Sequence, residues 1–157
     1  MADPVDGKTI RNIARNKRAR HDYQIGDEFE AGIALVGSEV KVLRQGRLTL
    51  TGAHVRVVRG EAFVFGMQIP EYEQANRLNH AVDRPRKLLL RRRQIERIDR
   101  DLSERGATRV VLSVYFKGAL VKVQIALAKG KRRHDKRHAL RDREASREAE
   151  RDMSRRR

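Results

Sequence analysis

The sequence predicts a mainly β fold: a small closed antiparallel barrel with two or three peripheral α-helices and a basic C-terminal tail that is disordered when free. Three observations predict it. Short stretches of alternating apolar and polar residues recur between tight turns containing Gly or Pro. No strand–helix–strand unit of crossover length repeats, which argues against a parallel sheet; closure of an antiparallel sheet would also remove its exposed edges. After Ala128 the apolar residues almost vanish. Residues 129–157 hold 13 Lys/Arg, 6 Asp/Glu, one Leu, one Met and no aromatic residue, too little to build a core.

Residues 1–9, with Pro4 and Gly7 and no apolar pattern, are expected to form a flexible leader, residues 10–128 the barrel domain and 129–157 the tail. Alternation begins near Tyr23 and puts Tyr23, Ile25, Phe29, Ala31, Ile33 and Leu35 on one face, with Glu28, Glu30 and Gly32 on the other. Gly37 ends that strand. Ser38 is placed to cap a short helix, "SEVKVLRQG", with Val40 and Leu43 as its apolar pair and Gly46 at the left-handed C-terminal position. Two strands follow around an Arg59-Gly60 turn: one alternates through Ala53, Val55 and Val57, the other through Phe63, Phe65, Met67 and Ile69 until Pro70 stops it.

Residues 71–86 show no strand pattern and read as a loop or helical turn. "KLLL" is a short strand, and "RRQIERIDRDLSERG" is a helix with Ile95, Ile98 and Leu102 on one stripe and Gly106 as its stop. The clearest hairpin joins "TRVVLSVYF" to "ALVKVQIALA" through Lys117-Gly118. In its second arm Val121, Val123, Ile125 and Leu127 point one way, and Lys122, Gln124 and Ala126 the other. That gives five or six strands. In the tail, Arg143, Arg147, Arg151 and Arg155 form one helical stripe beside Glu144, Glu148 and Asp152, a latent helix that needs a partner to become ordered.

The 157 residues suffice for one domain with its own core. A formal charge of +16 biases the choice of partner towards nucleic acid first and anionic membrane second. Lack of cysteine excludes disulfides, thiolate catalysis and Cys-ligated zinc. The first 30 residues contain no secretory apolar segment, and no run approaches the ~20 apolar residues of a membrane helix. A soluble cytoplasmic protein is expected.

Four features are candidates for chemistry. In "KGKRRHDKRH", residues 129–138, His134 and His138 have the i, i+4 spacing of a zinc pair, but Lys131, Arg132, Arg133, Lys136 and Arg137 crowd them, so repulsion opposes a 2+ ion. A solvated charge run and a phosphate-contacting surface are the other readings, the latter including Lys129. "IARNKRARHDY" carries Arg15, Lys17, Arg18 and Arg20 beside Asn16 and His21, a mixture suited to structured RNA. Glu28 and Glu30 share a strand face, where a carboxylate pair and a solvated outer face both fit. Leu89 alternates with Leu88 and Leu90, so it either packs under a helix or meets a ligand such as an unstacked base. No phosphate-binding glycine loop or nucleophile elbow is present.

"NKRARHDY", "FEAGIALVGSEVK", "RPRKLLL", "VYFK", "IALAKGK" and "HDKR", in this order from Ile10 to Glu150, resemble the bacterial tmRNA-binding protein family, small protein B (SmpB). The resemblance implies an oligonucleotide-binding (OB) type barrel and no covalent chemistry, hence no cofactor and no metal. It implies binding to the tRNA-like domain of tmRNA and delivery to the A site of ribosomes stalled without a stop codon, with the protein body in place of the anticodon arm. The tail would enter the empty mRNA channel of the small subunit, and the nascent chain would be tagged for proteolysis. Elongation factor Tu with GTP and alanyl-tRNA synthetase would act on the same RNA. Matched motif by motif, Asn16, Glu30, Leu89 and Lys122 are implied tmRNA contacts. Arg18, Arg20, His21, Lys129 and Lys131 join them as basic RNA-binding candidates, while Arg132, His134, Asp135, Lys136 and Arg137 are implied to meet the decoding centre. "ANRLNHAVD" departs from the family's usual "GNRFNHDPL". A general ribosome-associated protein, a metal-dependent nuclease and a membrane-surface helix in the tail are the rival readings.

Overall fold

The computed structural model describes residues 3–5, 8–104, 106–130 and 133–155, with side chains for 9–75, 79–104, 106–130, 141 and 143–155. Within them are eight strands: β1 Asp3–Val5, β2 Lys8–Arg15, β3 Tyr23–Ile33, β4 His54–Val58, β5 Glu61–Phe65, β6 Arg86–Leu89, β7 Ala107–Lys117 and β8 Leu120–Gly130. The helices are α1 Ala19–Asp22, α2 Gly37–Arg44, α3 Arg92–Ser103 and α4 Arg133–Arg155, with a 3₁₀ turn over Glu73–Leu78. All strand pairs are antiparallel. Strands β7-β4-β5-β6-β3-β8 form a row whose ends, β8 and β7, also pair, so six strands close into a ring.

The expected leader is a correction. Residues 3–5 and 8–15 are strands, and β2 extends the free half of one edge of β7, from Ile10↔Lys117 to Arg15↔Ser113. A register shift between Asn12 and Ala14 breaks the alternation that would have revealed β2 in the sequence.

Alternation fails elsewhere for similar reasons. In β5 the buried residues are Ala62 and Val64, whereas Phe63 and Phe65 face outward; Met67 and Ile69 are then buried. Gly66, at φ 78°, lies between the two phases. A shift between Val111 and Ser113 does the same in β7: Val111 joins the main core on one side of it and Val114 and Phe116 on the other. Val110, Leu112, Ala126 and Ala128 form a second, smaller core with Ala19 of α1. Ala126 is therefore buried rather than outward. The β7–β8 turn residues are Gly118 and Ala119, one position later than expected, because Lys117 pairs with Leu120. Arg59 (φ 51°) and Gly60 (φ 77°) make the β4–β5 turn, as the sequence indicates.

The main core fills the ring and is plugged by Val42 and Leu43 of α2 and Ile98 of α3. Ser38 does not cap α2. The Val36 N–H donates to the Glu39 carboxylate (3.0 Å), and the Ser38 hydroxyl instead meets His80 Nδ1 (2.8 Å). Glu39 and Arg86 are both fully buried. Arg86 Nε and Arg84 Nη2 donate to the two Glu39 oxygens, while Arg86 also donates to the Met67 (2.7 Å) and Val82 (3.1 Å) carbonyls. This network clamps the 79–86 loop onto α2 and holds the start of β6.

The helical stripes read in the tail fall on one helix, residues 133–155, with every described side chain from Arg141 onward exposed. Ala, Arg and Glu favour helix without tertiary support, and the Glu-to-Arg spacing adds to that.

Burial alone would raise the Glu39 carboxyl, but hydrogen bonds from Arg84, the Val36 N–H and Arg86 outweigh it and hold it below its ordinary value. A depressed folded value contributes stability above the unfolded pKa of about 4.3 and loses it as pH falls through the folded value. Glu39→Gln should cost about 3–5 kcal/mol, because it strands two guanidinium groups. It should also flatten the acid limb of the stability profile, read by urea unfolding between pH 3 and 7.

Candidate nucleic-acid interface

Strand register assembles the outer surface. Gly32 of β3 pairs with Leu89 of β6 on one side and Lys122 of β8 on the other, and Lys122 pairs with Tyr115 of β7. The next row runs Glu30, Gln124, Ser113 and Arg15. Leu88 is buried and Leu89 is 56% exposed, so Leu89 faces outward and the reading that packs it under a helix is overturned. It lies directly over Gly32, where an added Cβ would sit 3.2 Å from Leu89 Cβ.

Glu30, Leu89 and Lys122 line one open groove of about 990 Å³ with Lys87, Arg91, Arg92 and Glu61, the last paired with Lys87 (3.1 Å). Beside it, a hollow of about 500 Å³ is lined by Asn12, Arg15, Asn16, Arg20, Glu28, Tyr115 and Gln124. Tyr115 joins the two: its hydroxyl donates to Glu30, whose other oxygen lies 3.4 Å from Lys117 Nζ. Burial, reinforced by the Glu30 carboxylate, pushes the Tyr115 phenol well above its ordinary value.

Glu28 pairs with Arg20 (3.1 Å) and Gln124 (3.4 Å), while Glu30 keeps Tyr115 and Lys117. The two carboxylates therefore have separate partners. Asn16 is anchored by its N–H to the Leu112 carbonyl (2.7 Å) and also lines a smaller hollow of about 230 Å³ with Arg18 and His54. His21 is exposed, its Nδ1 2.9 Å from Asp22. Lys129 lies at the far end of β8, paired with Glu104 (3.2 Å). The four motif residues thus fall in adjoining hollows; Arg18 and Arg20 each line a hollow with Asn16, and His21 and Lys129 line neither. Lys131 and Arg132 lie outside the described residues. The backbone of His134, Asp135, Lys136 and Arg137 is in α4, but their side chains lie outside the description.

Sequence reasoning missed Tyr115, Gln124, Lys87, Arg91 and Arg92. Pairing the "VYFK" and "KVQIALA" arms of the hairpin would have put Tyr115 beside Lys122.

The SmpB protein family model matches residues 13–155. The chain belongs to the SmpB family. An SsrA-binding protein from Nocardioides is 54% identical over 92% of this chain and 91% of its own length; one from Thermobifida fusca is 50% identical over 96% and 94%. The SmpB fold is also seen in a solved structure described as "tmRNA-SmpB: a journey to the center of the bacterial ribosome", with a TM-score of 0.66, 41% identity, and coverage of 82% of this chain and 94% of that one.

The raised Tyr115 phenol is directly measurable. An alkaline absorbance titration of the three tyrosines should contain one late step, above the ordinary pKa near 10, that disappears in Tyr115→Phe. Stability contributed by this phenol is complete below pH 10 and falls as pH rises beyond it.

Proposed function

We propose that this chain binds the tRNA-like domain of tmRNA and delivers it to the A site of ribosomes stalled without a stop codon, leading to rescue and tagging of the nascent peptide. The observation that carries this reading is one basic groove: Glu30, Leu89 and Lys122, distant in sequence, line it together in a chain whose SsrA-binding relatives match almost its whole length. The protein works by binding, in the cytoplasm, and performs no covalent step. Elongation factor Tu with GTP and alanyl-tRNA synthetase act through the RNA.

Each groove residue has a distinct task. Leu89 gives an apolar contact to an unstacked base. Lys87, Arg91, Arg92 and Lys122 neutralise phosphates. Glu30 would repel a phosphate, so it accepts from a base amino group or a 2′-hydroxyl, with Tyr115 fixing its orientation. Asn16, Arg18, Arg20 and His21 extend the contact beyond the groove. The ring stands in place of an anticodon arm. The arm beyond Gly130, with Arg132, His134, Asp135, Lys136 and Arg137, reaches the decoding centre and the empty mRNA channel of the small subunit, while Lys129 and Lys131 at its root add to the RNA contact. Pairing of β8 through Gly130 supports a division between the two parts there rather than at Ala128.

RNA copurified with the protein from lysate should be dominated by tmRNA when sequenced; ribosomal RNA alone would support the general ribosome-binding rival. With about six to eight phosphates neutralised, log K against log salt should have a slope of roughly −4 to −7. Leu89→Ala should weaken binding of the isolated tRNA-like domain about tenfold without changing that slope. Truncation after Gly130 should leave this binding intact and abolish tagging on stalled ribosomes.

A further inference from the structure

Phe63 and Phe65 lie on the outside of the ring, against the usual placement of aromatic side chains. The phase change that puts them there is built in. Ala62 and Val64 before Gly66, and Met67 and Ile69 after it, are buried, and Gly66 adopts φ 78° where an added Cβ would lie 2.7 Å from the Gly52 carbonyl oxygen. Only glycine fits that approach.

Across β4 and β5, His54 faces Phe65. Their rings are 22° apart with centroids at 6.0 Å, and the Arg56 guanidinium stands 5.3 Å from the Phe65 centroid. Phe63 faces Arg56 on one side and Lys87 on the other. Lys87 also lines the groove, so this surface continues from it.

We propose that His54, Arg56 and Phe65 form a stacking shelf for one unpaired base of the RNA that occupies the groove, an inference that rests on the tmRNA reading above. Aromatic rings and guanidinium planes accept any base face. The two cations, Arg56 and Lys87, favour the attached phosphates and tie the shelf to the same backbone as the groove. A cation–π contact serving only to brace the β4–β5 ribbon would leave RNA affinity untouched when the stack is removed.

The test uses the full chain and the isolated tRNA-like-domain RNA as probe, over a series of salt concentrations. Phe65→Leu and His54→Ala should each lose about 5- to 100-fold in affinity with the salt slope unchanged and a cooperative melting transition retained. The chain has no tryptophan, so Phe65→Trp supplies a single reporter; it should keep its affinity and lose emission as RNA is added. Native affinity in Phe65→Leu, or unchanged tryptophan emission at saturating RNA, overturns the shelf. Loss of ribosome binding with native affinity for the tRNA-like domain overturns it too, because the shelf would then serve another RNA. Leu89→Ala separates the two readings. If it binds natively, the groove reading fails; if it loses affinity while Phe65→Leu does not, only the shelf fails.

Discussion

The pairing of Gly32 and Ile33 with Leu89 and Leu88 is the constraint on which the rest depends. It is only two residues long, yet it closes the six-strand ring between β6 and β3. It also sets which leucine enters the core. A one-residue slip would exchange Leu88 for Leu89 and dismantle core and groove together, because side chains alternate across a strand. The Lys87 carbonyl accepts from the Ala34 N–H (2.9 Å), which extends the seam. The Glu39–Arg84–Arg86 cluster holds the approach to β6 in place. The absence of a side chain on Gly32 leaves Leu89 room to lie over the strand.

A surface built on such a seam has a fixed shape, which suits recognition of a folded RNA. The ring supplies apolar, acidic and basic groups at set positions, so it can discriminate. The exposed helical arm is different: it offers charge along one axis and little apolar area. That division, between a shaped surface and a charged extension, is the physical basis for assigning the RNA fold to the ring and the ribosome channel to the arm. It also explains how a chain of net charge +16 can be selective, since phosphate contacts alone would bind any nucleic acid.

Much of this was legible in the sequence wherever periodicity was unbroken. Leu88 and Leu89, the α3 stripe, Gly46 and Gly106 as helix stops, and the β7–β8 hairpin all follow from local rules. Legibility ended where tertiary structure overrides them. Bulges in β2 and β7 and the left-handed Gly66 shift the alternation, hiding one strand and reversing the faces of Phe63 and Phe65. Buried Glu39, Arg86 and Arg109 defy the rule that charges stay outside, because each finds a partner distant in sequence: Arg109 donates to Asp101 and lies over the Phe29 ring (4.8 Å). Strand alternation put Glu30 on an outer face beside Glu28, whereas motif resemblance singled out Lys122. Tyr115 emerged only when strand register placed it beside Glu30 and Lys122.

The most direct measurement is amide hydrogen exchange on the full chain, alone and saturated with the isolated tRNA-like domain. The account predicts new protection at Glu30–Gly32, Lys87–Arg92 and Val121–Gln124, with none along 133–155. Protection confined to 133–155, with the groove strands exchanging as in the free chain, would contradict it.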